Sequence, residues 1–285
     1  MPDQVAAEPC VSLGVTGGPI ETYPGREVKL GDLSISRLLP VRDRRLVGPW
    51  CFMDRFGPLA FSDSKPMDVA PHPHIGLQTV TWLLEGEVTH DDSLGFQAIA
   101  RPGGVNVMTA GSGIAHAEQT PRQNSGHLSG VQLWVALPDA VRNRPSDFQH
   151  IVEAPLATVR GGGVQVFAGT LAGAASPAVH HSPIVGAEVR VNQADRLMFE
   201  VPRHFEHAAL LLEGDAESES TILAPHVLYY FGSGRTEVLI AALHSSVTCG
   251  RRIGPLLTCP LTLVPCQRSV YRCTELPDGY HEIAP

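Results

Sequence analysis

The sequence has few basic residues, few aromatic residues and no long apolar run. Only 18% of its 285 residues are charged, and 21 lysines and arginines against 29 acidic residues give a formal net charge of −8. Because basic side chains supply most of the affinity for phosphate backbones, we expect no direct binding to nucleic acid. The apolar stretches, such as 238–243, are far shorter than the ~20 residues that cross a bilayer, so we predict no membrane span.

The sequence also lacks the signals of a secreted, disulfide-bonded protein. Its first residues show no basic stretch followed by an apolar run, which is the pattern of a signal peptide. Six cysteines do not make a disulfide framework in a chain of this length, and Cys249, Cys259, Cys266 and Cys273 form no Cys-x-x-Cys pair. We therefore predict a cytoplasmic protein.

Turn-forming residues divide the chain into short stretches. The 28 glycines and 24 prolines, with Asp and Asn, separate apolar segments such as 79–84 and 131–135. Turn residues recurring about every 8 to 12 positions are typical of an all-β sandwich or barrel. The pattern predicts a flexible lead-in over 1–18, a first domain over 19–137, a linker over 138–162, a second domain over 163–243, and a tail over 244–285 of unassigned structure.

Two short motifs carry side chains that bind metals. Residues two apart in a strand point to the same face, so His72 and His74 would point one way, and so would His116 and Glu118. Facing side chains on neighbouring strands have Cβ atoms about 4.5–5.5 Å apart. If these strands are neighbours, all four ligand atoms would converge at ~2.0–2.2 Å from one metal. Either motif alone is more often a pair of surface or capping residues.

Longer blocks around these motifs resemble the pirin family of the cupin superfamily. The matching text includes Val47-Gly48-Pro49-Trp50, HPHIGLQTVTWLLEGEVTHDDSLG (72–95) and PGGVNVMTAGSGIAHAEQTP (102–121). The resemblance implies a bicupin, which is two β-barrel (double-stranded β-helix) domains in tandem. It implies that His72, His74, His116 and Glu118 bind one metal, commonly iron, and that the second domain carries none.

The chain departs from the family pattern at three places. Gln78 stands where many pirins have Glu, and Asp91 stands where the family usually has Arg. Beyond Leu243 the usual C-terminal segment with a helix and paired tryptophans is missing. One hypothesis is that the reading frame has shifted near residue 243, which would leave the second barrel with an unpaired edge. Translation of the coding DNA in the other two frames tests this hypothesis.

Two functions fit the resemblance and the ligand set. Three imidazoles and one carboxylate suit a first-row divalent ion, whether Fe, Ni, Cu, Mn or Zn, and the resemblance makes Fe(II) the first choice. In the first hypothesis the protein is a quercetin 2,3-dioxygenase-type enzyme, with Glu118 as ligand and proton acceptor and with O₂ and a flavonol or related enolic molecule as substrates. In the second hypothesis it is a regulatory module that binds a transcription factor or an enzyme. Nothing in the sequence separates the two, and a degenerate cupin with a purely structural metal is a third possibility.

Other residues have weaker functional readings. His90 is a candidate outer hydrogen-bond partner of a metal-bound histidine, although an ordinary strand-end histidine is an equal reading. Trp82 and Trp134 lie in apolar strand text and are predicted to belong to the core. The histidines of the second block are predicted to be ordinary loop residues.

Overall fold

A computed structural model describes residues 17–30, 33–243 and 251–260, the last range by its backbone alone. All the regular secondary structure in these ranges is β-strand, which confirms the all-β prediction. Within the same residues, no helix is long and apolar enough to cross a membrane. The strands form two similar barrels, each made of one seven-stranded and one four-stranded antiparallel sheet, with a small hairpin beside the second barrel.

The first barrel follows β1 (Glu21–Pro24), a strand that belongs to the second barrel. Its strands are β2 (Arg26–Leu30), β3 (Leu33–Leu39), β4 (Trp50–Ala60), β5 (Asp68–His74), β6 (Leu77–Glu85), β7 (Val88–Asp92), β8 (Gln97–Ala100), β9 (Val105–Thr109), β10 (Ile114–Gln119), β11 (His127–Ala136) and β12 (Asp147–Ile151). The large sheet has the order β12-β9-β6-β11-β4-β3-β2, and the small sheet has the order β5-β10-β7-β8.

The second barrel repeats this plan. Its strands are β13 (Leu156–Val159), β14 (Gly162–Ala168), β17 (Val185–Val191), β18 (Arg196–Glu200), β19 (Phe205–Leu211), β20 (Ala216–Ser218), β21 (Thr221–Leu223), β22 (Val227–Gly232), β23 (Glu237–Ala242) and β24 (Arg251–Pro260), and the hairpin is β15 (Thr170–Leu171) with β16 (Ala174–Ala175). The large sheet has the order β1-β22-β19-β24-β17-β14-β13, and the small sheet has the order β18-β23-β20-β21.

The largest apolar core lies between the two barrels. Alternate residues of β6 face opposite ways, so Val80 and Trp82 enter this core while Leu83 packs with the first barrel's interior residues. On the other side, Phe167 stacks on Trp82 with ring centroids 4.9 Å apart. The Trp82 indole Nε1–H donates to the buried carboxylate of Glu188 at 2.9 Å. Trp82 is therefore a core residue, as predicted.

Strand pairing crosses the domain limits expected from the sequence. In the segment predicted as a linker, β12 pairs with β9 of the first barrel and β13 pairs with β14 of the second. At the other end, β24 comes from the tail of unassigned structure and lies between β17 and β19. Residues 244–250 and 261–285 of that tail lie outside the described residues.

Candidate metal centre

Strand β10 lies between β5 and β7, so the two motifs lie side by side on adjacent strands of one sheet. In the antiparallel pairing of β10 with β5, His116 is opposite His72 and Ile114 is opposite His74. On its other side, β10 places His116 opposite Asp92 of β7, and Glu118 opposite His90. The two motifs thus lie on adjacent strands, which is the arrangement that a shared metal requires.

The three histidines of the motifs converge. One ring nitrogen from each of His72, His74 and His116 lies within 4.8 Å of the other two. The ring centroids are 4.9 Å apart for His72 and His74, 4.5 Å for His72 and His116, and 5.0 Å for His74 and His116. His116 is 2% exposed and His74 is 9% exposed, so the cluster is largely shielded from water.

Hydrogen bonds fix which nitrogen of His116 is free. The buried His90 ring contacts Asp92 Oδ2 through Nε2 at 3.0 Å and His116 Nδ1 through its own Nδ1 at 3.3 Å. A neutral imidazole has one N–H donor and one acceptor. If His90 donates Nε2–H to the Asp92 carboxylate, its Nδ1 accepts from His116 Nδ1–H. His116 Nε2, buried and without a hydrogen-bond partner among the described residues, then carries a free lone pair.

The turn after β7 holds the hydrogen-bonded series His116–His90–Asp92 in place. Asp92 Oδ1 accepts hydrogen bonds from the backbone N–H groups of Leu94 and Phe96, at 2.9 Å and 3.1 Å. From β12, Phe148 stacks on the His90 ring with centroids 4.1 Å apart and planes 8° from parallel. The structure therefore places His90 where an outer partner of a metal-bound histidine would lie.

Burial keeps two histidines of the cluster, His74 and His116, neutral. It lowers the pKa of His74 to about 3, with a further contribution from His72. It lowers the pKa of His116 to about 2, with His72, His74 and His90 acting in the same direction. Neutral imidazole is the form that binds metals, so these residues are ready to act as ligands over the ordinary pH range.

Glu118 lies near this cluster but is held separately. The pairing of β10 with β5 is irregular between His116 and Glu118, and the carboxylate does not belong to the converging group of three histidines. Its Oε1 accepts a hydrogen bond from the Thr81 hydroxyl at 3.2 Å. Burial raises the pKa of Glu118 to about 7, so its carboxyl group must lose a proton before it binds a metal.

Several residues beside the cluster were not identified from the sequence. Trp134 is half-buried, its ring lies 4.9 Å from that of His74, and it stacks on Phe52 at 3.9 Å. It lines the metal cluster, so the prediction that it is only a core residue missed this contact. Gln132, two residues earlier on the same face of β11, accepts a hydrogen bond from Thr81. The polar glutamine within an apolar strand was the one available signal.

Two of the three departures from the family pattern, Gln78 and Asp91, lie away from the cluster. Gln78 is fully buried, its Nε2 donates to Thr109 Oγ1 at the end of β9 at 2.9 Å, and its Oε1 contacts His180 Nδ1, between the barrels, at 3.2 Å. Asp91 accepts a hydrogen bond from the Gln97 side chain. These hydrogen bonds point away from the three converging histidines, so the exchanges leave the histidine cluster intact.

The second barrel's histidines do not all lie in loops. His207 is on β19 and is fully buried. His180 lies between the barrels, where it meets Gln78. The prediction that they are loop histidines was wrong for His207, because β19 carries it into the barrel wall. The side chains of the clustered cysteines lie outside the described residues.

Comparison with known proteins identifies the family. The Pirin family model matches residues 33–135. A pirin-like protein of Caulobacter vibrioides is 38% identical over 244 residues, which cover 82% of this chain and 84% of that protein. The chain belongs to the pirin family. The predicted resemblance is thereby confirmed.

Other pirin relatives carry names that refer to an activity. A Pseudomonas aeruginosa protein, provisionally named a quercetin 2,3-dioxygenase, is 42% identical over 205 residues, or 72% of this chain. The match spans 65% of that relative, slightly less than two thirds of its length.

Solved structures share the pirin fold. A crystal structure titled quercetin 2,3-dioxygenase from Acinetobacter baumannii has a TM-score of 0.79 and 36% identity, and the match covers 85% of this chain and 79% of that one. A bacterial pirin from Escherichia coli, solved in complex with nickel(II), has a TM-score of 0.65 with 14% identity over 85% of this chain and 99% of that one. The bicupin prediction is confirmed.

Proposed function

We propose that this pirin is a metal-dependent dioxygenase that cleaves a flavonol, such as quercetin, or a related enolic substrate with O₂. The observation that carries the proposal is the convergence of three imidazoles within 4.8 Å on adjacent strands. The likeness to the A. baumannii protein, at 36% identity, supports the choice of reaction. In this proposal the protein works in the cytoplasm without direct contact with nucleic acid or membrane.

The residues present fit a divalent transition metal. His72 Nδ1 is engaged with the Ala70 carbonyl at 2.9 Å, which leaves its Nε2 available, and His116 Nε2 is buried without a partner among the described residues. We propose that His72, His74, His116 and Glu118 hold one metal, Fe(II) first, with Ni, Cu, Mn or Zn as alternatives. When bound, the metal would supply Lewis acidity toward an enolate oxygen and a meeting point for O₂.

The protein's own residues would supply the rest of the chemistry. Glu118 would accept the proton of the substrate's hydroxyl group. The half-buried Trp134 ring, stacked on Phe52 beside His74, offers an aromatic face next to the cluster. The His116–His90–Asp92 chain would hold the His116 ring in one tautomer.

The test measures metal content and oxygen consumption together. Purified protein loaded with Fe(II) should bind about one metal per chain and consume O₂ when quercetin is added, and His116→Ala should bind none. Retained stoichiometric metal in His116→Ala would mean that the ligands are wrongly assigned. No oxygen consumption with any of the five metals, in protein shown to be loaded, would reject the oxygenase.

One observation favours a regulatory module as a second candidate. Ile75, next to His74, is 51% exposed, and Leu94 and Phe96, in the turn held by Asp92, are 49% and 46% exposed. Apolar side chains at the edge of the cluster suit a protein partner that responds to the metal. Metal-dependent binding of a transcription factor or enzyme, lost in Ile75→Asp and in His116→Ala, would support this candidate if no oxygen is consumed.

A further inference from the structure

The Thr81 hydroxyl group lies between two oxygen atoms. Its Oγ1 is 3.2 Å from Glu118 Oε1 and 3.0 Å from Gln132 Oε1. Thr81 is buried on the inward face of β6. A hydroxyl group has one proton and therefore donates to one acceptor at a time. When Glu118 is a carboxylate, neither it nor the Gln132 oxygen supplies a proton, so one of the two contacts is left without a hydrogen bond.

The Gln132 amide has the opposite problem, a buried donor that lacks an acceptor. Its Nε2 is buried and has no hydrogen-bond partner among the described residues. The oxygen and nitrogen of an amide are similar in size and exchange places by a half-turn, so their assignment follows from the hydrogen bonds around them. With the amide turned, Gln132 Nε2–H donates to Thr81 Oγ1, and the Thr81 hydroxyl donates to Glu118. This one rotation leaves the Thr81 hydroxyl with a single acceptor, Glu118, and gives the Gln132 N–H an acceptor, Thr81 Oγ1.

We propose that Gln132 and Thr81 are positioning residues that form a chain of donors ending on the Glu118 carboxylate and hold it beside the three histidines. The inference rests on the proposed function in one respect, namely that Glu118 is a metal ligand. In this inference Thr81 on β6 and Gln132 on β11 orient Glu118, a ligand on β10. Outer hydrogen-bond partners of ligands orient them, and their loss commonly weakens metal binding by about 10- to 100-fold.

The first test removes the Thr81 hydroxyl. Thr81→Val keeps the shape of the side chain and should weaken the binding of nickel(II), measured in competition with a chelator, by about 10- to 100-fold. Thr81→Ser keeps the hydroxyl and should restore the affinity of the unchanged protein. Thr79→Val is the matched control, because Thr79 lies on the same face of β6 and takes no part in the hydrogen bonds that join Thr81 to Glu118 and Gln132. Unchanged nickel affinity in Thr81→Val overturns the proposal.

The second test examines Gln132. Gln132→Leu removes the N–H donor without adding a charge, and it should weaken nickel binding in the same direction as Thr81→Val. Because both residues act through one chain, Thr81→Val combined with Gln132→Leu should lose no more than Thr81→Val alone. Losses that add in the double variant would show that the residues act separately. Gln132→Leu alone also keeps the proposal testable if Thr81→Val does not fold, as judged by thermal unfolding of the metal-free proteins.

The two proposals fail in distinguishable ways. If His116→Ala retains nickel(II), the ligand assignment itself is wrong and the proposed function fails. If His116→Ala loses nickel(II) while Thr81→Val and Gln132→Leu bind it as the unchanged protein does, only the donor chain is rejected.

Discussion

At the scale of single residues, proton positions decide whether the histidine cluster binds a metal. His116 Nε2 is free only because His116 Nδ1–H donates to His90, and His90 accepts there only because its Nε2–H donates to Asp92. The buried Asp92 carboxylate thus sets the tautomers of two successive rings. The motif His72-x-His74 and the motif His116-x-Glu118 were visible in the sequence, whereas this order of donors depends on contacts across strands.

Asp92→Asn tests the chain by replacing one carboxylate oxygen with an amide nitrogen. The remaining side-chain oxygen keeps the backbone N–H bonds of the turn, and the new amide N–H₂ then faces His90 Nε2. Two donors cannot pair, so His90 should shift its proton to Nδ1 and His116 should shift its proton to Nε2, which blocks the ligand position. We expect metal affinity to fall by about 10- to 100-fold without loss of folding. The neighbouring Asp91→Asn is the control and should bind metal normally.

At the scale of strands, the alternation of apolar and polar residues could be predicted from the sequence, whereas the pairing of strands could not. Period-two patterns in 79–84 and 131–135 indicated strands, and the closeness of β5 and β10 follows from the predicted shared site. The sequence could not say that Gln78 and Trp82 face the second barrel, where they contact His180 and Glu188, while Thr81 faces Glu118. That choice depends on which barrel covers each face of β6, and sheet partners distant in sequence decide it.

The close approach of β4 to β11 gives an element-scale prediction. Gly57 has φ of +76°, and a Cβ there would lie 2.2 Å from the Leu128 carbonyl oxygen. Gly57→Ala should therefore combine a backbone cost of about 1–2 kcal/mol with an overpacking cost of about 1–3 kcal/mol. Gly95 has φ of +87° with open space around its Cβ position, so Gly95→Ala should show the backbone cost alone. Equal loss of unfolding free energy in the two variants would contradict this account.

At the scale of the whole molecule, buried neutral histidines link stability to pH. Burial chiefly lowers the pKa of His180 and of His207 to about 4, in addition to the lower values of His74 and His116. The unfolded chain binds protons on these residues below pH 6.5 while the folded chain does not, so acid favours unfolding. Glu118, whose pKa is raised to about 7, acts in the opposite direction between about pH 4.5 and 7.

The metal-free protein should therefore lose unfolding free energy as the pH falls from 6.5 toward 4, because four lowered histidines outweigh one raised carboxyl group. Urea unfolding of chelator-treated protein at several pH values measures the slope. His207→Gln should show a shallower slope, whatever its stability at pH 7. A slope unchanged in that variant would mean that His207 is not a buried neutral residue.

The pairing of β1 with β22 ties the ends of the described fold together. Glu21 to Pro24 complete the edge of a sheet whose other strands come from more than a hundred residues later. The second barrel is thus not encoded by one uninterrupted stretch of chain, because the first barrel's strands separate β1 from β13. Cutting the gene between the barrels would yield one half that carries a stray strand and another half that lacks it, so the pair should be inherited, expressed and evolved as a unit.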